Sequence, residues 1–271
     1  MPRSCSSAMA IAGGSSDKMA PNRSQRDDVK VITVSDPAAL AAAGADRIIA
    51  RIAANSGRAA ICLSGGSSPK QLFQLLATDA YRSRIPWDRV HWFIGDERFV
   101  PVDDPRNNMT MARQAFLDAC APAANVHPIA VDSADPKEAA RRYETELQSF
   151  YGADQLDPAR PLFDVVLLGV GPDGHTASLF PNYPAEAVTN RWVVDVPEAH
   201  VEPFVPRVTL TLPALASCRE MLFEASGSGK RAILARVLGG ENLPANRAHS
   251  SLGETIWLLD KAALPENFRG Q

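Results

Sequence analysis

Short apolar runs that stop at glycine-containing turns recur along this 271-residue chain, and they constrain its fold more than any other feature. The clearest is Phe163–Leu168, which leads into Gly-Val-Gly-Pro-Asp-Gly-His at positions 169–175. Ala59–Leu63 precedes a Gly-Gly turn, and Val90–Ile94 precedes Gly95. Apolar runs of this length, bounded by turn residues, are typical of strands buried in a sheet.

Helical patterns lie between the predicted strands. Residues 36–55 begin with Asp-Pro, an N-cap followed by proline at the first helical position. Residues 136–151 carry Glu and Arg at the spacing of intrahelical pairs. Strands that alternate with helices predict an α/β fold with a mostly parallel sheet and helices on both faces, in Rossmann-like layers. With no internal linker or repeat, we expect residues 29–271 to form a single domain.

Composition narrows the possible partners and location. A net charge of −3 and a pI near 6.0 argue against nucleic acid or an anionic membrane as partner. No apolar run approaches the roughly 20 residues that a membrane span needs. The four cysteines form no CxxC or Cys/His cluster, which favours free thiols in a reducing, cytoplasmic compartment. We expect residues 1–28, rich in Ser, Gly, Ala and Pro, to be either a disordered tail or the result of a start codon placed too early, with Met19 as the true start, rather than a secretory signal.

The turn after Phe163–Leu168 contains the strongest candidates for catalysis. Ligands of open parallel sheets bind outside the carboxyl ends of the strands, where Asp173 and His175 should lie. A lone histidine is usually structural, but Asp173 could hold the tautomer of the ring as the acid of a triad does. No GxSxG or HExxH pattern is present, so His175 is expected to act as a general base on water or as a proton shuttle, without a metal.

Residues 169–174 also match the GxGxxG pattern of dinucleotide-binding turns. A lone match is weak. Pro172 stiffens the turn, and Phe180-Pro181 leaves little room for the helix that should hold a pyrophosphate. We therefore reject a nucleotide site here.

Three further features are candidates for binding an anion. Residues 64–68 form a small polar strand-to-helix turn, whose backbone N–H groups could bind a phosphate, although plain loops of this kind are common. Lys230 follows a second glycine turn at 227–229, where it could be a solvated lysine of a first helical turn, although the helix dipole disfavours a cation there unless an anion is present. Arg98 and Arg207 lie at strand ends and could either bind an anion or form ordinary salt bridges.

These motifs together resemble those of the 6-phosphogluconolactonase family. The segments are LSGGSSPKQLF (63–73), WFIGDERFVP (92–101), VLLGVGPDGHTASLFP (166–181), RVTLT (207–211) and SGSGK (226–230). The resemblance implies hydrolysis of 6-phospho-D-glucono-1,5-lactone to 6-phosphogluconate, the second step of the oxidative pentose phosphate pathway. It implies a fold similar to glucosamine-6-phosphate deaminase, no organic cofactor and no required metal. We expect a monomer or a weak homodimer.

The resemblance also implies the site residues. His175 and Asp173 would be catalytic, and a larger group would bind the substrate and its phosphate: Ser64, Gly65, Gly66, Ser67, Ser68, Asp96, Arg98, Asn108, Gly171, Arg207 and Lys230. The chain departs from the family at Ser68, Asn182 and Asn107, where threonine, glycine and serine are usual. These departures put loop details in doubt rather than the chemistry.

Two alternatives share these motifs. Deaminases of the same fold have the GVGxDGH turn but continue with Ile-Ala-Phe-Asn-Glu-Pro, whereas this chain has Thr176–Pro181. They carry Asp-Glu-Tyr where this chain has Asp96, Glu97 and Arg98. A sugar-phosphate sensor would need a DNA-binding segment, for which residues 1–28 are too short and too rich in glycine and serine.

Overall fold

The computed structural model describes residues 29–266 and 268. The predicted disordered tail at 1–28 lies outside them, and a single domain over 29–271 stays a prediction. No helix in the described part of the chain is both long and apolar enough to cross a membrane.

Nine strands and nine α-helices make up the described chain. The strands are β1 (Val29–Val34), β2 (Ala59–Leu63), β3 (Val90–Ile94), β4 (Asp96–Arg98), β5 (Phe163–Leu168), β6 (Val193–Val196), β7 (Arg207–Leu210), β8 (Cys218–Ala225) and β9 (Glu254–Asp260). The helices are α1 (Pro37–Ala54), α2 (Ser67–Leu76), α3 (Asp79–Arg82), α4 (Asn108–Ala112), α5 (Asp118–Cys120), α6 (Pro136–Tyr151), α7 (Leu212–Ala216), α8 (Arg231–Leu238) and α9 (Pro244–Arg247). A π-helical turn, Arg113–Leu117, joins α4 to α5.

Local chemistry fixes the ends of the long helices. The Asp36 carboxylate accepts a hydrogen bond from the N–H of Ala39 at 2.9 Å, which caps α1 as its sequence predicts. Asp135 caps α6 in the same way through the N–H of Glu138 at 2.7 Å. Gly152 ends α6 in the left-handed conformation, with φ of 80°. Each side-chain cap contributes about 0.5–2 kcal/mol to helix stability.

Six strands form a wholly parallel sheet in the order β1-β9-β8-β5-β2-β3. Every residue of β2 and β5 is buried, as expected for central strands covered on both faces. Helices α1 and α2 pack against each other and against strands of this sheet, whereas α6 packs against β6 and β7. The predicted α/β fold is therefore confirmed.

The order of the strands determines where a ligand can bind. From β2 the chain proceeds outwards to β3, whereas from β5 it proceeds to β8 and β9 on the opposite side. The pair β2–β5 is therefore the point at which the direction of winding reverses. Crevices at such points, outside the carboxyl ends of the strands, are the usual binding sites of open α/β sheets.

A second, antiparallel sheet of three strands in the order β4-β7-β6 adjoins this carboxyl edge. Its strand β4 follows β3 with only Gly95 between them. Gly95 links the two sheets, since its N–H donates to Leu63 O at 2.9 Å and its carbonyl accepts from the N–H of Leu210 at 2.8 Å. Apolar stretches at residues 192–196 and 208–212 predict β6 and β7, whereas no such pattern predicts β4. The second stretch ends as a strand at Leu210 rather than at residue 212, because the chain turns into α7 at Leu212. The sequence predicts a helix from Lys70 onwards, but α2 begins at Ser67, because Pro69 is tolerated within a first helical turn.

Candidate active site

The turn after β5 holds His175 in a fixed position. The N–H of Gly171 donates to His175 O at 2.9 Å, and the N–H of Gly174 donates to Gly171 O at 3.1 Å. Gly174 has φ of +91°, a left-handed conformation that favours glycine. A Cβ on Gly171 would lie 1.9 Å from Cε1 of His175, so the imidazole occupies the space that a side chain would need. The turn therefore requires glycine at 171 for the ring to lie where it does.

Asp173 and His175 form the pair that the sequence predicts. Nδ1 of His175 lies 2.6 Å from Oδ1 of Asp173, which also accepts from the N–H of His175 at 3.1 Å. Partial burial acts to raise the pKa of Asp173, but the hydrogen bonds and charge of His175 outweigh it and hold that pKa well below its usual range. An ionised carboxylate can only accept, so Nδ1 carries the proton. In the neutral ring Nε2 is then unprotonated and able to accept a proton.

A second histidine, which the sequence analysis did not select, contacts the same carboxylate. Nε2 of His200 lies 2.9 Å from Oδ2 of Asp173. His200 belongs to the loop between β6 and β7, 27 positions along the chain from Asp173. It stands in no recognisable motif, so only the three-dimensional structure could bring it into the site.

Arg98 and Arg207 are adjacent on β4 and β7, where their Cα atoms are paired in register. Arg98 Nη1 donates to Arg106 O at 2.9 Å and to Asn108 Oδ1 at 2.7 Å. Arg207, only 3% exposed, donates to Pro203 O at 3.0 Å. Both Nε atoms are buried without a hydrogen-bond partner, and neither guanidinium has a carboxylate partner in the described chain. The salt-bridge alternative is therefore wrong for both arginines.

Arg207 is buried and Arg98 half-buried, and two cations at paired positions of neighbouring strands repel each other. Burial lowers the pKa of Arg207, the charge of Asp96 opposes this effect, and the charge of Arg98 adds to it. An anion bound between the two guanidiniums would remove the repulsion and supply the missing acceptors.

Asp96 and Asn108 connect these cations to the neighbouring turns. Oδ2 of Asp96 accepts from Ser178 Oγ at 2.6 Å, and the carbonyl of Asp96 accepts from Asn108 Nδ2 at 2.9 Å. Asn108 lies against Gly65, where a Cβ would be 2.0 Å from Asn108 Oδ1. Hydrogen bonds thus join β4 to Asn108 and to the segment after His175, and the turn after β2 packs against Asn108.

Glu97 contacts backbone rather than the site. It is fully buried and accepts from the N–H groups of Arg98, Asn108 and Met109 at 2.7–2.8 Å. Burial raises its pKa to about 7, although the three hydrogen bonds act in the opposite direction. Glu97 therefore holds the start of α4, and with it Asn108, against β4.

Lys230 extends towards the turn that carries His175. Its Nζ donates to Val170 O at 2.7 Å, and burial lowers its pKa. The preceding turn is fixed by Asp260, which accepts from Ser226 Oγ at 2.6 Å and from the N–H of Gly227 at 3.1 Å. The alternative of a fully solvated lysine is wrong, since this ammonium is partly buried without a carboxylate partner in the described chain.

The turn at 64–68 lies beside the His175 turn because β2 and β5 are neighbours. Gly66 has φ of +113° and precedes α2, which begins without a side-chain cap. Ser64 is buried and its Oγ donates to Gly65 O at 3.2 Å, while Ser68 is half-buried. No three His, Cys, Asp or Glu side chains of residues 29–266 and 268 are grouped so that they could hold a metal ion.

A parallel α/β sheet with an Asp–His pair and unpaired cations at its reversal point is typical of enzymes that act on small anionic molecules. A family model described as "Glucosamine-6-phosphate isomerases/6-phosphogluconolactonase" matches residues 35–257. The 6-phosphogluconolactonase of Synechocystis sp. is 41% identical over 226 residues, which cover 82% of this chain and 89% of that protein. The chain therefore belongs to the glucosamine-6-phosphate isomerase/6-phosphogluconolactonase family.

Solved structures agree with this assignment. A 6-phosphogluconolactonase from Trypanosoma cruzi matches with a TM-score of 0.76 and 32% identity, over 86% of this chain and 95% of that one. A monomeric glucosamine-6-phosphate deaminase matches with a TM-score of 0.70 at 20% identity, over 86% of this chain and 98% of that one, which shows the shared fold alone. The family, the enzyme class and the fold that the motifs predicted are confirmed.

Proposed function

We propose that this chain hydrolyses 6-phospho-D-glucono-1,5-lactone to 6-phospho-D-gluconate, with His175 as the general base. The names of its relatives support the substrate and the reaction. The observation that carries the mechanism is the 2.6 Å contact between Nδ1 of His175 and ionised Asp173, which leaves Nε2 free to take a proton. The cytoplasmic location, the absence of a cofactor and the monomer or weak homodimer stay predictions.

Arg98, Arg207 and Lys230 are proposed to bind the substrate phosphate together with the turn at 64–68. The proposal is supported by a shortage of hydrogen-bond acceptors within the described residues: two buried guanidinium Nε atoms lack a partner there, and the ammonium of Lys230 contacts only the carbonyl of Val170. A dianionic phosphate supplies both the charge and the acceptor oxygens. Fixing the phosphate orients the distant lactone carbonyl, which is how remote binding energy serves catalysis.

The reaction then needs two proton transfers, one from water to His175 and one from His175 to the leaving oxygen. Nε2 of His175 removes a proton from water while the water oxygen attacks C1 of the lactone. The bond between C1 and the ring oxygen breaks, and the imidazolium returns its proton to that oxygen. Asp173 stays ionised and stabilises the imidazolium.

The sequence also predicts that backbone N–H groups of the glycine-rich turn at 169–174 stabilise the oxyanion formed at C1. Gly171 and Gly174 already donate to carbonyls within the turn, so the prediction is wrong for these two groups. Any contribution of the turn comes from its other N–H groups.

A coupled assay tests the proposed reaction. The lactone is generated in situ, 6-phosphogluconate dehydrogenase reports the product, and spontaneous hydrolysis is subtracted. We expect a clear acceleration over the spontaneous rate and no deamination of glucosamine 6-phosphate under the same conditions. Deamination without lactone hydrolysis would contradict the proposal.

A further inference from the structure

The carboxylate of Asp173 is shared between two imidazoles. Oδ1 accepts from Nδ1 of His175 at 2.6 Å, and Oδ2 lies 2.9 Å from Nε2 of His200. Because Asp173 is ionised, both ring nitrogens that face it must carry protons. His200 therefore uses Nε2 as its donor, whereas His175 uses Nδ1 and keeps Nε2 for substrate chemistry.

His200 is held in this position by aromatic contacts. Its ring stacks on Tyr183, with 4.7 Å between centroids and an interplanar angle of 28°. It meets Phe180 edge-on at 4.9 Å, and Phe180 also contacts the His175 ring at 4.8 Å. The two imidazoles thus share both an anion and an aromatic neighbour.

The loop that carries His200 is also tied to the proposed phosphate site. Arg207 donates from Nη2 to Pro203 O at 3.0 Å, within the same loop. The Arg207 guanidinium lies 5.4 Å from the centroid of Phe180. One end of the loop therefore contacts Arg207 of the cation pair, which consists of Arg98 and Arg207, while His200 contacts the carboxylate of Asp173.

We propose that His200 is a positioning residue for the hydrolysis proposed above: it donates Nε2–H to Oδ2 of Asp173 and so holds the carboxylate in line with Nδ1 of His175. The inference rests on the proposed function. Without His200, Oδ2 would have no donor among the described residues, and the carboxylate could rotate about its Cβ–Cγ bond and turn Oδ1 away from the imidazole. With a donor on each oxygen, that rotation breaks two charge-assisted hydrogen bonds at once.

Two variants of His200 separate this role from simple packing. His200→Phe keeps a ring that can stack on Tyr183 but removes the donor, whereas His200→Gln restores an amide N–H at a similar distance and removes the ring. We expect kcat of His200→Phe to fall about 10–100-fold with KM within about twofold, since a hydrogen bond to a charged group is lost without any change at the phosphate. His200→Gln should keep most of the wild-type kcat.

These kinetics can overturn the inference in three ways. A wild-type kcat in His200→Phe, a loss confined to KM, or equal losses in both variants would each show that the hydrogen bond to Asp173 is not what His200 supplies. Thermal unfolding curves of His200→Phe and His200→Gln serve as the control that both variants are folded at the assay temperature.

A spectroscopic measurement tests the inference without turnover. The Nδ1 proton of His175 in a short bond to a carboxylate gives a downfield proton NMR signal, assigned by its loss in His175→Gln. We expect this signal to persist in His200→Gln and to broaden or vanish through exchange in His200→Phe. An unchanged signal in His200→Phe contradicts the positioning role, even if the proposed lactone hydrolysis itself proved wrong.

Discussion

At the scale of single residues, the kind of hydrogen-bond donor distinguishes the roles proposed here. Glu97 and Asp173 are both carboxylates of the same region, but Glu97 accepts three backbone N–H groups, whereas Asp173 accepts from two imidazoles and one backbone N–H. The first arrangement fixes a helix end, and the second orients a base. The roles of the two carboxylates therefore follow from the groups that donate to them.

Lys230 provides a prediction about substrate binding. Replacing it with alanine removes a partly buried ammonium whose single described partner is Val170 O, and leaves the Asp173–His175 pair intact. We expect KM for the lactone to rise about 10–100-fold, with kcat changed by no more than a few-fold. The exposed Lys137→Ala is the matched control in the same coupled assay. A loss in kcat alone would show that Lys230 does not bind the phosphate.

Most candidate site residues could be predicted from sequence because they stand in glycine turns directly after apolar runs. Asp173, His175 and the turn at 64–68 are found in this way, since strand ends converge in any parallel sheet. His200 could not be predicted, because its loop has no periodic pattern and reaches Asp173 only through the path of the chain after β6. The missing partners of Arg98 and Arg207 are likewise a property of packing alone.

At the scale of elements, the turn after β5 offers a pair of glycines for comparison. A Cβ on Gly171 would overlap the His175 ring, whereas a Cβ on Gly169 meets nothing within 4 Å. We expect Gly171→Ala to displace the imidazole and reduce kcat at least about 100-fold, because a misplacement of about 1 Å can have that effect. Gly169→Ala should remain close to wild type.

The measurement is kcat of both glycine variants, with circular dichroism to confirm the fold. Equal activity of Gly171→Ala and Gly169→Ala would contradict the close approach of the ring to the turn.

Strand β8 contains a buried carboxyl that costs stability. Glu224 is 5% exposed, neither of its oxygens has a partner within residues 29–266 and 268, and burial raises its pKa from 4.5 to about 8. Between these pH values the folded protein binds this proton more tightly than the unfolded chain. The free energy of unfolding should therefore fall as pH rises, with a contribution of up to about 1.4 kcal/mol per pH unit.

Two substitutions of Glu224 test this prediction. Glu224→Gln removes the titration, and Glu224→Met also removes the buried polar group that faces Gly44 and Leu72. Urea denaturation across this pH range should show a flatter pH dependence for both variants, and a higher stability of Glu224→Met near pH 8. A pH dependence identical to wild type would show that folding leaves the pKa of Glu224 unchanged, and would contradict the prediction.

The sequence predicted the elements of the parallel sheet well but missed one strand of the antiparallel sheet. β2, β3 and β5 have the predicted bounds because each is a buried apolar run. β4 consists of Asp96, Glu97 and Arg98, whose charges read as a loop, and it is a strand only because β7 pairs with it. The β-propensity of these three residues does not predict the strand, because the residues that pair with them are distant in the chain.

At the scale of the whole molecule, an anion at the cation pair should stabilise the fold. A ligand that binds the native state alone raises the free energy of unfolding by about 2.7 kcal/mol at a concentration one hundred times its Kd. We expect 6-phosphogluconate to raise Tm of the wild type and to raise it much less in Arg207→Met. The control is Arg84→Met, which removes an exposed arginine paired with Asp46. Equal shifts in both variants would contradict an anion site at Arg207.

The central claim is that His175 takes the proton from the attacking water. The most direct test is kcat of His175→Ala in the coupled assay with spontaneous hydrolysis subtracted, together with the affinity for 6-phosphogluconate by calorimetry. The structure predicts a fall in kcat of about 10²–10⁴-fold with product affinity retained, because the base is lost and the cations remain. A wild-type kcat in His175→Ala would contradict the claim.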